Sequence, residues 1–190
     1  VAVLGTGEQA LLQVTWLRKL RPINRVHVWG RRPEAAARLC EAFQAEGIDA
    51  RPDALEAGAP CVITTTAARS PLPLEAFRNA IHVTGIGTDM PGKHELPVEL
   101  FANALIVTDD HTQCLHHGDF GNAVRAHVIH PDADLAVGTI LAEHPEYPEH
   151  RTVGSVGRNR RSIADLTGVG ATDAAVASVV VGNRFSTVVE

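Results

Sequence analysis

VAVLGTGEQALLQVTWLRKL, residues 1–20, is the stretch whose reading decides the fold. Val1 to Leu4 is a short apolar run suited to a buried strand. Leu11, Leu12, Val14, Trp16, Leu17 and Leu20 then recur at helical spacing ahead of Pro22, which cannot continue a helical ladder. Between them stands Gly5-Thr6-Gly7-Glu8-Gln9-Ala10, which fits G-x-G-x-x-[GA]. A glycine turn joining strand to helix can hold a pyrophosphate. The first glycine permits the tight turn, the second lets phosphate oxygens reach bare backbone, and a small third residue lets helix and strand pack closely. The helix start adds unpaired N–H groups and a partial positive charge. Gly5, Thr6, Gly7, Glu8 and Gln9 are therefore candidate dinucleotide-binding residues; the competing reading is a plain glycine turn.

The next strand tests this reading, because its end meets the adenosine ribose. Residues 25–29 (RVHVW) read as a strand that ends Gly30-Arg31-Arg32, with no carboxylate to bind a 2′-hydroxyl. A glycine followed by two guanidinium groups leaves room for a 2′-phosphate and pairs with it. The expected cofactor is NADP, with NAD possible, and the competing reading of Arg31 and Arg32 is solvated surface charge.

The same alternation continues along the chain. Pro33 suits the first turn of a helix that buries Ala36, Leu39, Cys40 and Phe43 and runs to Gly47. A weak strand is expected at residues 49–51, and stronger ones at 61–65, 81–84, 105–108 and 162–166. Residues 130–161 loosen into Pro, His and Glu, a peripheral excursion with a short helical segment at 135–143; residues 171–181 read as a small-residue helix. Strands alternating with helical patterns indicate an α/β, Rossmann-type doubly wound, mostly parallel sheet with helices on both faces, in one domain over residues 1–190. Ligands of such sheets bind beyond the carboxyl ends of the strands.

Composition narrows the function classes. With 45% hydrophobic and 21% charged residues the chain is globular, and no apolar run reaches bilayer length. A net charge of -5 with no basic face, apart from a small Arg158, Arg160, Arg161 cluster expected in a solvated loop, argues against nucleic acid. No secretory segment precedes Val1, although a chain starting inside a strand can have lost one. Cys40, Cys61 and Cys114 lack disulfide or C-x-x-C spacing, which suits a reducing cytoplasm. Ten histidines match no H-E-x-x-H or Cys/His array, so no metal site is expected. There is also no G-x-S-x-G elbow and no P-loop lysine motif.

Later motifs add a resemblance. Besides the first glycine turn these are the Thr64-Thr65-Thr66 strand end, Gly85-Ile86-Gly87-Thr88-Asp89-Met90-Pro91-Gly92-Lys93-His94-Glu95-Leu96, Val107-Thr108-Asp109-Asp110 and Asp165-Leu166-Thr167-Gly168-Val169-Gly170. Together they make the chain, from Gly5 to about Val181, resemble the NAD(P)-binding domain of the ornithine cyclodeaminase and mu-crystallin family. The G-x-D-x-P-G-K-x-E-L stretch is the most specific carrier.

The resemblance implies a substrate and dimerisation domain ahead of the glycine turn, so this chain reads as a dissected cofactor domain of a homodimer. It also implies hydride exchange at the carbon bearing nitrogen in a small amino acid or cyclic imino acid. Asp89 matches the family's catalytic aspartate. At a loop on the carboxyl edge of the sheet it can bind a substrate ammonium or move a proton to nitrogen; its competing reading is a helix cap near Pro97. Thr65 and Thr66 are expected beside the ribose, Gly87 in the cofactor loop, and Thr167, Gly168 and Val169 near the nicotinamide. Lys93 and Glu95 are expected to pair with each other or cap a local helix. The implied outcomes are an NADP-dependent imino-acid reductase or dehydrogenase, a cyclodeaminase-type lyase with bound NAD, or a crystallin-like binding protein.

Overall fold

The computed structural model describes residues 1–55, 58–143 and 160–170 together with 174, 177 and 178. Eight strands form one sheet in which every pair is parallel. They are β1 (Ala2–Leu4), β2 (Arg25–Trp29), β3 (Asp49–Pro52), β4 (Cys61–Thr64), β5 (His82–Gly85), β6 (Leu105–Thr108), β7 (Asp134–Ala136) and β8 (Ser162–Asp165). The spatial order is β3-β2-β1-β4-β5-β8-β6-β7, so the winding reverses between β1 and β4. The helices are α1 (Glu8–Leu20), α2 (Pro33–Ala45), α3 (His111–His117), α4 (Asp119–Arg125) and α5 (Val137–Glu143). None of the described helices is long and apolar enough to cross a membrane.

The strands β1, β4 and β6 are largely apolar on both sides because both faces of the sheet are covered. Alternation sends Ala2 and Leu4 into one core with Val62, Phe77, Val83, Phe101, Ile106, Phe120 and Ile163. Val3 goes to the other, with Val14, Val26, Val28, Leu39 and Phe43 under α1 and α2. Pro52 is tolerated because β3 is an edge strand.

Three departures from the sequence reading have local causes. The supposed excursion supplies β7, in which Leu135 pairs with Val107 in register instead of beginning a helix; α5 starts only at Val137. Residues 111–125, read with no element, form α3 and α4. Of the basic cluster, Arg160 donates to the carbonyls of Asn103 and Ala104, and Arg161 to those of Ala80 and Phe77, so both fasten the start of β8 rather than sit in a solvated loop. Arg158 and most of residues 171–181 lie outside the described residues; Gly170, Ala174, Ala177 and Ser178 are helical.

Candidate functional site

Where the winding reverses, the loops after β1, β2 and β4 enclose a cleft of about 430 Å³. Gly5, Thr6, Gly7, Trp29, Gly30, Arg31, Arg32, Thr65, Thr66 and Ala67 line it. The sequence reading anticipated most of this lining; Trp29 and Ala67 are additions. Glu8 and Gln9 are exposed in the first turn of α1, outside the lining.

Gly5 is held at φ 135, and a Cβ there would lie 2.3 Å from Thr65 Oγ1, so only glycine fits against the end of β4. Gly7 differs. Its φ of −86 and ψ of −176 suit any residue, and a Cβ there would meet nothing within 4 Å. Gly7 is also the N-cap of α1 and offers no side-chain hydrogen bond to the first-turn amides. Its bareness leaves donors and space open to something outside the chain. Thr65 Oγ1 is buried without a partner among the described residues. Arg31 and Arg32 are exposed, and neither has an ion-pair partner among the described residues. Helix terminus and guanidinium groups together make the cleft suited to an extended polyanion.

Further along the same edge, the loop after β5 carries Asp89, whose side chain is 53% exposed. Lys93 donates to Asp89 Oδ1, not to Glu95, which corrects the expected Lys93–Glu95 pair. Nor is Asp89 a helix cap: the 3-10 turn Val98–Phe101 has no side-chain cap. Glu95 is fully buried and accepts from Thr64 Oγ1 at 2.8 Å, from Gly87 N at 2.6 Å and from Thr66 N. Burial raises its pKa, and these hydrogen bonds oppose the rise.

Asp119 and Asp165 are likewise fully buried. Asp119 accepts from the amides of Glu95 and Leu96 at 3.1 and 3.0 Å, and burial pushes it well above the carboxylate range. Asp165 accepts from Phe120 N at 2.8 Å and Thr88 Oγ1 at 3.3 Å; burial pushes it to about 7.

The segment after β8 is fastened from α3 and the end of β6. Thr167 Oγ1 donates to Asp109 Oδ1 at 3.2 Å and accepts from Gln113 Nε2 at 2.9 Å, while Gly168 N donates to Asp109 Oδ2 at 2.6 Å. Burial raises the Asp109 carboxyl, yet the hydrogen bonds from Cys114, Thr167, Gly168 and Asp110 outweigh it and hold the group low. Val169 is half-buried beside this segment. Glu95, Asp109, Gln113, Asp119 and Asp165 received no site role from sequence. For Glu95, Asp109 and Asp165 the available signal was an acidic residue set within or directly after an apolar, motif-bearing segment; Gln113 and Asp119 carried no such signal. Among the described residues no group of three or more His, Cys, Asp or Glu side chains is arranged to hold a metal ion.

The sequence model of the "Ornithine cyclodeaminase/mu-crystallin family" matches residues 1–182. The alanine dehydrogenase of Archaeoglobus fulgidus is 33% identical over 187 residues, covering 96% of this chain and 56% of its own length. A solved archaeal alanine dehydrogenase dimer with bound NAD superposes with a TM-score of 0.86 at 32% identity, covering 98% of this chain and 57% of that one. The iminosuccinate reductase of Paracoccus denitrificans, solved with NAD+, gives 0.84 at 28% identity over 99% and 57%. The chain thus spans about half the length of the relatives it matches.

Proposed function

This chain belongs to the ornithine cyclodeaminase/mu-crystallin family, and from that premise we propose that it is the dinucleotide-binding part of an oxidoreductase acting at the carbon–nitrogen centre of a small amino acid or cyclic imino acid. The favoured direction of classification is a ketimine or pyrroline carboxylate reductase type using NADP. The observation that carries this reading is the cleft at the reversal of the winding, lined both by bare Gly7, at the start of α1 where there is no side-chain cap, and by Arg31 and Arg32, which have no ion-pair partner among the described residues.

Gly5, Thr6 and Gly7 would receive the pyrophosphate, with Glu8 and Gln9 framing the helix entry. Arg31 and Arg32 would take the 2′-phosphate, and the NADP preference rests on these two residues alone. Thr65 and Thr66 would meet the ribose; Gly87, Thr167 and Val169 would border the nicotinamide. When bound, the dinucleotide supplies or accepts a hydride. Asp89 holds the substrate nitrogen and moves its proton: Lys93 engages Oδ1, while Oδ2 has no partner among the described residues. The archaeal alanine dehydrogenase is a dimer, and we assign the whole protein the same homodimeric state.

The test uses the full-length protein with NADPH and a cyclic imino acid, and separately with ornithine, following reduced-cofactor absorbance and ammonia. Loss of NADPH supports the reductase. Ammonia without net cofactor change selects a cyclodeaminase, and binding without either reaction selects a binding protein. Asp89→Asn is expected to abolish turnover while leaving dinucleotide affinity within about twofold; an active variant removes Asp89 from its role.

A further inference from the structure

Both residues that precede Asp89 are held by buried carboxylates. Gly87 N donates to Glu95 Oε2 at 2.6 Å, and Thr88 Oγ1 donates to Asp165 Oδ1 at 3.3 Å. Glu95, Thr88 and Asp165 are all 0% exposed. Glu95 also accepts from Thr64 Oγ1 and Thr66 N, so one side chain ties the loop after β5 to the end of β4, where the dinucleotide cleft begins. The fit has no slack: a Cβ on Gly87 would lie 2.2 Å from Thr66 O and 2.3 Å from Glu95 Cδ. The holders are themselves held, Asp119 receiving the amides of Glu95 and Leu96 and Asp165 that of Phe120.

A buried carboxylate is a poor source of stability, since well-packed apolar residues of similar size commonly serve as well or better. What it does supply is several directional acceptors at fixed points, which orders a loop. Here the ordered loop carries the group proposed to reach the substrate nitrogen.

Resting on the function proposed above, we infer that Glu95 and Asp165 are positioning residues: through Gly87 and Thr88 they fix Asp89 relative to the Thr65–Thr66 wall of the dinucleotide cleft. Displacement of a reacting group by about 1 Å can cost on the order of a hundredfold in rate. The effect therefore falls on kcat more than on dinucleotide binding.

In the full-length protein, Glu95→Gln keeps the side-chain size but turns an amide NH2 toward one of its N–H donors. It is expected to lower kcat by about 10- to 100-fold, with dinucleotide Kd changed by less than about fivefold. Thr88→Val removes the hydroxyl held by Asp165 and should lower kcat by roughly tenfold, whereas Thr88→Ser should recover most of it. Leu100→Ala, in a buried position outside the site, is the control: it lowers the melting temperature without altering kcat below the melt. If Thr88→Val and Glu95→Gln lose only melting temperature, as the control does, while kcat stays within about twofold of wild type, the inference is overturned. Thr88→Val decides alone if Glu95→Gln does not fold. A wild-type protein that neither binds dinucleotide nor turns over overturns the function itself, a result distinct from active variants.

Discussion

Gly7 and Arg31 separate what the fold needs from what a ligand needs. Gly7 is in a conformation open to every residue and has empty space where a side chain would begin, so sterics give no reason for glycine there, and its one folding advantage is a modest one as the N-cap of α1. Gly7→Val is therefore expected to lower the melting temperature by no more than about 4 °C, the loss of a glycine N-cap, and to weaken dinucleotide binding at least about tenfold, because its methyl groups would fill the space left for phosphate. Calorimetric titration alongside a thermal melt checks this, and unchanged affinity would make Gly7 a mere turn residue. Arg31 makes no ion pair in the described structure, so Arg31→Ala should cost no fold stability. A charge-assisted hydrogen bond contributes about 1.5–3 kcal/mol, so the variant should lose NADPH affinity by roughly 10- to 100-fold and NADH affinity hardly at all. Equal losses for the two cofactors would remove the 2′-phosphate from Arg31.

At the scale of elements, legibility followed the local strength of the pattern. Strands such as β1, β4 and β6 are largely apolar and flanked by turn residues, and β2 and β6 lie where residues 25–29 and 105–108 predict them. The short edge strand β7 was not legible, because three half-exposed residues contain too little of a period-two pattern. Helices α3 and α4 were missed for a related reason: HTQCLHH and DFGNAVR are seven-residue pieces rich in polar side chains and divided at Gly118. Each segment lining the cleft was readable because it is a short contiguous pattern at a strand end, whereas the contacts of Glu95 with Thr66 and Gly87 leave no local pattern in any one segment. The start of α3 does carry a local signal. Asp110 caps it by accepting from Gln113 N at 2.7 Å, and the same Gln113 fastens Thr167. Asp110→Ala should cost about 1 kcal/mol, a fall of roughly 2–4 °C in melting temperature for a chain of this size. A denaturation curve unchanged from wild type would show that packing alone sets this helix start.

For the whole molecule, the carboxylates buried near the carboxyl ends of the strands make stability depend on pH in an unusual direction. Asp165, raised by burial from 3.8 to about 7, is protonated in the fold over a range where the unfolded chain is already ionised. The folded state binds more protons there, so stability falls as pH rises toward 7 and then levels off. Asp119 and Glu95, raised chiefly by burial, act with the same sign. His82 and His94 oppose them: burial lowers both from 6.5, so their contribution is lost as pH falls below 6.5. Asp109, held low by its hydrogen bonds, loses its contribution only as pH falls through the acid range below 3.8. Between pH 8 and 6.5 the titration of Asp165 by itself should raise stability by roughly 1 kcal/mol, or about 2–4 °C in melting temperature. Melting temperature at constant ionic strength should therefore fall from pH 6.5 to 8, and Asp165→Asn should flatten that fall while retaining an acceptor for Phe120 N. A wild-type melting temperature that is level, or rising, from pH 6.5 to 8 would mean that Asp165 is already ionised within the fold, and that the loop leading to Asp89 is held by a charge rather than by a buried acid.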